Sequence, residues 1–319
     1  METLNRKDIK KCMNGNALNY MEYLEKEKYD SGKKGTAGLY KATRSQLLLF
    51  LEEKKLNLKK VDSRLVTDFI AHLQSLSLSR NSITNYVSTF RSVYNMAVSE
   101  NLVIPKENPF SKLHLRPVST YKRSVSTEVI KDMTKLDLKG SKRLEFARDL
   151  FLFSFMACGM AFVDLAHLTR NNIRGNVIVY YRVKTKMEIR VTITPGIRRL
   201  LEKYAEPDSD LLFPVLGSEE ASYESYKVAL RTYNRRLAKI GELIDCPVKL
   251  TSYVARHSWA MCAKKRSASV AVIGQALGHS SERTTLYYLS TLDQAEIDKV
   301  NLKIINFTEK WILNRSVKI

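Results

Sequence analysis

The chain has 319 residues and a formal net charge of +20, from 53 Lys and Arg against 33 Asp and Glu. At roughly 100–200 residues per domain, that length suggests two domains with ample core, and 44% hydrophobic with 27% charged residues disfavours disorder over most of the chain. With only 12 Gly and 7 Pro, a turn-rich all-β fold is disfavoured too.

The first 117 residues read as helical. Leu18, Met21 and Leu24 form a stripe at helical spacing over Asn16–Lys28, and a loop follows at Ser31–Thr36. A second helix is predicted over Leu39–Lys55, and a third, capped by Ser63, runs through Val66, Phe69, Ile70 and Leu73. Ser79–Glu100 carries the clearest stripe, from Ile83 through Tyr86, Val87, Phe90, Val93 and Tyr94 to Val98, whose aromatics read as core. Pro105, Pro109 and Pro117 close this region, and residues 116–126, with Arg116, Lys122 and Arg123, read as an exposed basic linker. Beyond it, helices are predicted over 126–136 and 141–158. Val177–Arg182 and Glu188–Thr194 then alternate with period 2, which marks a β-hairpin with Lys184-Thr185-Lys186 in its turn. Helices resume at Thr194–Tyr204, Ser222–Ile240, Val254–Lys265, Ser269–Leu277 and Asp293–Leu313. The expected fold is mainly α with one small antiparallel sheet, divided as 1–115, a linker at 116–126, and 127–319.

Both halves are basic, net +8 over residues 1–117 and +12 over 118–319. Charge on that scale points to a polyanionic partner, nucleic acid before a membrane, and suits two domains that both face the same DNA. No apolar run is long enough to span a bilayer. Cys12, Cys158, Cys246 and Cys262 show no C-x-x-C spacing, so they read as reduced structural thiols in a cytoplasmic protein.

Four short stretches carry chemistry. They are Gly159-Met160-Ala161-Phe162-Val163-Asp164-Leu165, the Lys184-Thr185 turn, Ser252-Tyr253-Val254-Ala255-Arg256-His257, and Leu277-Gly278-His279 with Tyr287-Tyr288 downstream. In order and spacing they resemble the tyrosine recombinase (phage integrase) family, and are similar to integrases of bacterial mobile elements. The resemblance spans both domains. It implies an N-terminal helical core-binding (SAM-like) domain and a mostly helical catalytic domain holding a hairpin Lys, a His-x-x-Arg box, a Gly-His box, and a Tyr nucleophile nine residues after that His. His279 plus nine is Tyr288, which favours it over Tyr287. The implied activity is site-specific recombination of duplex DNA through a 3′-phosphotyrosine, by a homotetramer on two DNA sites, with room for accessory DNA-bending proteins and no cofactor or metal.

The residue chemistry agrees. A phosphodiester is anionic, and its transition state spreads further charge over its oxygens. Arg256 offers permanently charged donors there, and His279 adds one near neutral pH. A phenol with a pKa near 10 depends on adjacent positive charge to become reactive. Lys184 can protonate the departing 5′-oxygen. The missing carboxylate cluster argues against a metal nuclease. Each residue also has an ordinary alternative: Arg256 a simple phosphate contact, His279 a helix-end hydrogen bonder, Tyr288 a core aromatic.

Two positions depart from the pattern. Tyr253 stands where His-x-x-Arg has its His, a mild change since a phenol still donates. Ala161 stands where the family has the Arg of Gly-x-Arg, and Arg143, Arg148, Arg170, Arg182 and Arg190 are all candidates to replace it. Asp164 and His257 read as braces. Ala161 keeps open a catalytically silent DNA-binding protein of the same fold, and a type IB topoisomerase-like relaxing enzyme shares the chemistry. The C-terminal segment 293–319 is expected to dock on a neighbouring protomer or on its own domain. The opening residues 1–13 offer a short basic arm, too small for an arm-binding domain.

Overall fold

The structure, a computed structural model, describes residues 15–118, 123–218, 220–289 and 301, without the side chains of Tyr287 and Tyr288. The expected arm at 1–13 and the docking segment at 293–319 lie outside the described residues, apart from residue 301. The chain divides into two compact units, residues 1–121 and 122–319.

The first unit holds α1 (Ala17–Asp30), α2 (Lys34–Phe50), a 3-10 turn at Leu58–Lys60, α3 (Ser63–Ser75) and α4 (Arg80–Ser99). The stripes read from the sequence face its core. Leu18, Met21 and Leu24 of α1 are buried, as are Val66, Phe69 and Leu73 of α3 and Val87, Phe90 and Tyr94 of α4. Phe90 sits at the centre, edge-on to both Phe69 and Phe110. Burying each such ring stabilises the unit by about 1.5–3 kcal/mol. Three boundaries differ from expectation. Lys34-Gly35-Thr36 belong to α2, so the loop after α1 is only Ser31–Lys33. The helix then stops at Phe50, because Glu52 and Glu53 adopt left-handed backbone. At α3 the cap is Asp62, whose Oδ1 accepts the Leu65 N–H at 2.8 Å, while Ser63 is already helical.

The second unit is also mostly helical. α5 (Thr127–Lys135), α6 (Lys142–Met156) and the short α7 (Phe162–Ala166) precede a three-stranded antiparallel sheet of β1 (Ile173–Arg174), β2 (Val177–Tyr181) and β3 (Glu188–Thr192). α8 (Pro195–Tyr204), α9 (Tyr223–Leu243), α10 (Ser252–Lys265), α11 (Val270–Leu277) and α12 (Glu282–Tyr288) follow. β2 and β3 pair in register from Val177↔Thr192 to Tyr181↔Glu188. Ile189 and Val191 point into the core while Glu188, Arg190 and Thr192 face out, the alternation written in the sequence. α10 is the central helix: Val254 and Ala255 are fully buried in the main core, and Ser258 accepts the Val125 N–H. Ser252, Tyr253 and α12 enter helices that the sequence left as connections. Among the described residues, no helix is long and apolar enough to cross a membrane.

Candidate active site

Arg256 projects from the second turn of α10 and is 4% exposed. A buried guanidinium requires acceptors, and backbone supplies them. Nη1 donates to the Gly159 carbonyl at 2.9 Å, and Nη2 donates to the Leu277 carbonyl at the end of α11. Gly159 is held at φ +69°, and a Cβ there would stand 2.8 Å from the Arg256 Cα. Only glycine lets the two backbones approach so closely. The Gly159 and Arg256 motifs, 97 residues apart in the chain, therefore meet at one point.

His279 follows Gly278, the left-handed cap of α11. Its Nε2 lies 3.5 Å from Arg256 Nη2, and its Nδ1 lies 2.9 Å from the Thr285 hydroxyl. Guanidinium nitrogens only donate, so these contacts fit a neutral ring with the proton on Nδ1, given to Thr285. Burial pushes the imidazole down to about 4, and the charges of Arg256, Arg182 and Lys184 push the same way. Thr285 is fully buried and lies on α12, three residues before Tyr288. The helix that carries Tyr288 is thus tied to His279 by a side-chain hydrogen bond. The Tyr288 side chain lies outside the described residues.

The hairpin turn reaches the same point. Lys184 is exposed in the turn, close enough for its charge to bear on His279. Thr185 donates its hydroxyl to the Gly278 carbonyl at 2.9 Å. Asp164 of α7 is 4% exposed, and its Oδ1 accepts the Val183 N–H at 2.8 Å. Burial pushes the Asp164 carboxyl up, while the Val183 N–H and the Arg182 and Arg256 charges pull it back. Asp164 is therefore a brace between α7 and the hairpin, as its setting in the sequence suggested. α7 is itself anchored by Phe162, stacked on Tyr233 at 4.6 Å. Tyr253 is 49% exposed in the first turn of α10, with its ring parallel to that of buried His257 at 6.4 Å. Of the predicted residues, Arg256 and His279 are in contact, Lys184 lies exposed on the hairpin turn within electrostatic reach of His279, and Tyr253 opens to solvent one turn before Arg256.

The five arginines proposed to replace position 161 separate clearly. Arg143 is exposed on α6. Arg148 binds Asp149 and the Leu136 carbonyl. Arg170 binds the carbonyls of Ser209 and Glu206. Arg190 pairs with Glu188 on the outer face of β3. Arg182 alone is buried beside Asp164 and Gly278. Among the described residues, Thr285 is a contributor that the sequence did not single out. Its signal was available in its place between His279 and Tyr288.

Known proteins resemble the chain along both units. Residues 16–115 match the phage integrase SAM-like domain, and residues 126–295 match the phage integrase family. A tyrosine recombinase of Pseudothermotoga lettingae is 25% identical over 269 residues, covering 80% of this chain and 87% of that protein. The ICEBs1 integrase of Bacillus subtilis is 24% identical, covering 73% and 67%. Among solved structures, the Tn1549 transposon integrase in complex with transposon right-end DNA superposes with a TM-score of 0.65 at 14% identity, covering 91% of this chain and 99% of that one. A lambda integrase dimer bound to a COC′ core site gives 0.62 at 13% identity, covering 85% and 76%. At such identities the structural likeness speaks for the fold.

Proposed function

The chain belongs to the phage integrase family of tyrosine recombinases, and from that membership we propose that it cuts and rejoins duplex DNA at specific sites with Tyr288 as nucleophile. The observation that carries the reading is the tie between Arg256, His279 and α12. One end of His279 faces the buried guanidinium, and the other binds the helix on which Tyr288 sits.

In this reading Arg256 and the phenol of Tyr253 hold the non-bridging oxygens of the scissile phosphate. The Tyr288 oxygen attacks phosphorus, a new P–O bond forms, and the bond to the 5′-oxygen breaks. Lys184 gives its proton to that oxygen, and the tyrosine proton passes to water. A bound phosphate adds negative charge beside His279, which raises its pKa and turns Nε2 into a donor. The number of P–O bonds is unchanged, so the 5′-hydroxyl of a partner strand reverses the step without an external energy source.

The domain plan belongs to the same proposal: residues 1–115 grip the DNA core, residues 116–126 link, and residues 127–319 cut. Both halves are basic, which suits two domains facing one duplex. Four copies act on two sites and exchange strands in pairs, with accessory DNA-bending proteins where the sites require them, in the cytoplasm. Ala161 favours a second reading, a protein that binds DNA and cuts none. To separate the two, adducts are trapped in host cells under denaturing conditions and the attached DNA is sequenced, for wild type and Tyr288→Phe. Covalent DNA at few sites from wild type alone supports recombination. Intact binding without adduct from either protein supports the silent reading.

A further inference from the structure

Position 161, where the family pattern has an arginine, is Ala161, the N-cap residue just before α7, and its methyl cannot contact a phosphate. The charge is not missing from the site. Arg182, the first residue past β2, is 8% exposed. Its Nη1 donates to the Gly278 carbonyl at 3.1 Å, and its Nε lies 3.7 Å from Asp164 Oδ2. Gly278 is the residue after Leu277, whose carbonyl takes Arg256 Nη2, and the residue before His279. Two guanidiniums therefore converge on consecutive carbonyls at the end of α11, with His279 beside them. The approach is close: a Cβ on Gly278 would stand 2.9 Å from the Arg182 Cδ, and its φ of +62° calls for glycine as well.

Asp164 explains how an arginine on another element reaches this place. It belongs to the motif that lacks the arginine, three residues after Ala161, and it grips the hairpin through the Val183 N–H and Arg182. The hairpin is thereby fixed against the segment that has lost its own cation. Nη2 of Arg182 hydrogen-bonds to none of the described residues, so the fork keeps a donor to spend. Arg256 likewise gives one N–H of each terminal nitrogen to a protein carbonyl, out of the five N–H groups a guanidinium carries. Lys184 is two residues away on the same turn, so one hairpin delivers both the general acid and a guanidinium.

We propose that Arg182 is a catalytic residue, supplying from the hairpin the second phosphate-binding guanidinium that position 161 does not provide. The inference rests on the strand-cleavage reading above. A structural alternative exists, in which Arg182 only neutralises the buried Asp164 carboxylate, and the test must separate the two.

The test uses a DNA site recovered by adduct sequencing, made once with an ordinary scissile phosphate and once with a methylphosphonate, in which an uncharged methyl replaces one non-bridging oxygen. Full-length Arg182→Gln and the double variant Arg182→Gln/Asp164→Asn are compared with wild type. The double variant leaves no unpaired carboxylate, and the introduced amide oxygen still accepts the Val183 N–H. On ordinary phosphate both variants are expected to lose about 10²–10³-fold in adduct formation, the effect of removing one such donor. On methylphosphonate, where no charge awaits neutralisation, both are expected to recover at least tenfold relative to wild type. Wild-type cleavage by the double variant on ordinary phosphate overturns the proposal and makes Arg182 a partner of Asp164 only. Equal loss on both substrates also overturns it. Absence of adduct from wild type itself is a different result, since it strikes the phosphotyrosine reading and removes this role along with it.

Discussion

Replacing Gly159 by Ala tests whether the Gly159–Arg256 contact builds the site. Two costs are separable. A side chain at φ +69° carries about 1–2 kcal/mol of left-handed strain. The new Cβ would also stand 2.8 Å from the Arg256 Cα and 3.1 Å from its carbonyl oxygen. Both are backbone atoms of the central helix, so no rotamer change relieves the overlap, and such overpacking costs about 1–3 kcal/mol more. The expected loss is about 2–5 kcal/mol. Residues 1–121 of the first unit contain no tryptophan, and Trp259 lies on α10 of the second, so urea unfolding followed by tryptophan fluorescence does not read the first unit. Moving Arg256 by even a fraction of an ångström also misplaces the guanidinium, and adduct yield should fall about 10²-fold. Gly38→Ala is the control. Gly38 is exposed inside α2 with open space where a Cβ would go, so alanine there leaves the tryptophan transition unchanged and stabilises the first unit, read by far-UV circular dichroism, by about 0.5–1 kcal/mol. A Gly159→Ala protein with wild-type stability and full adduct yield would refute the reasoning.

Thr285→Val keeps the shape of a buried side chain and removes the hydroxyl that meets His279 Nδ1. It should cost about 1–2 kcal/mol and lower adduct yield, while Thr285→Ser keeps both. A valine variant indistinguishable from wild type in both measurements would remove the tie between α12 and His279. His279 is pushed down to about 4 in the folded chain, against about 6.5 unfolded. Between those values the unfolded chain binds the extra proton, so stability rises with pH across the window and is lost as pH falls through it. The effect is at most about 3 kcal/mol, and less for a partly exposed ring. Urea midpoints at about pH 4 and pH 7 should converge in His279→Gln. Asp149 is raised by burial, but bonds from Lys203, Arg148 and Tyr204 outweigh this and hold it below its ordinary value. Its contribution is present above the unfolded carboxylate pKa and lost as pH falls through the folded one. Asp149→Asn should therefore lower stability near neutral pH and cost nothing measurable in strong acid; an equal cost at both would show that packing, not charge, is responsible.

Periodic apolar residues made the helices and hairpin legible. Phe69 and Phe90, or Ile189 and Val191, announce their buried face by spacing alone. Boundaries set by backbone conformation were not legible: nothing in Glu52-Glu53 forewarns a left-handed turn, since neither is the glycine or asparagine that usually marks one. α12 escaped because Glu282–Tyr288 carries no apolar repeat, and its order comes from the Ser281 cap and the burial of Thr285. At the site, the motif residues Arg256, His279 and Lys184 could be named because family spacing is a sequence property. Arg182 could not be chosen from five arginines, because what distinguishes it is tertiary. It is buried against Asp164 and the Gly278 carbonyl, partners 18 and 96 residues away. Position 161 shows the reverse. The sequence reports a loss there, and only the fold shows Arg182 of the hairpin turn held by Asp164 of the same motif.

The central claim is that Tyr288 becomes covalently bound to DNA. The direct measurement is mass spectrometry of the adduct trapped from wild-type protein, after digestion of the DNA to a short nucleotide remnant and of the protein by trypsin. Cleavage after Arg283 and Lys299 yields one peptide containing both Tyr287 and Tyr288. The prediction is a phosphonucleotide mass on that peptide, with fragment ions placing it on Tyr288 and none in Tyr288→Phe. A remnant on Tyr287, on any other peptide, or undiminished in Tyr288→Phe would contradict the account.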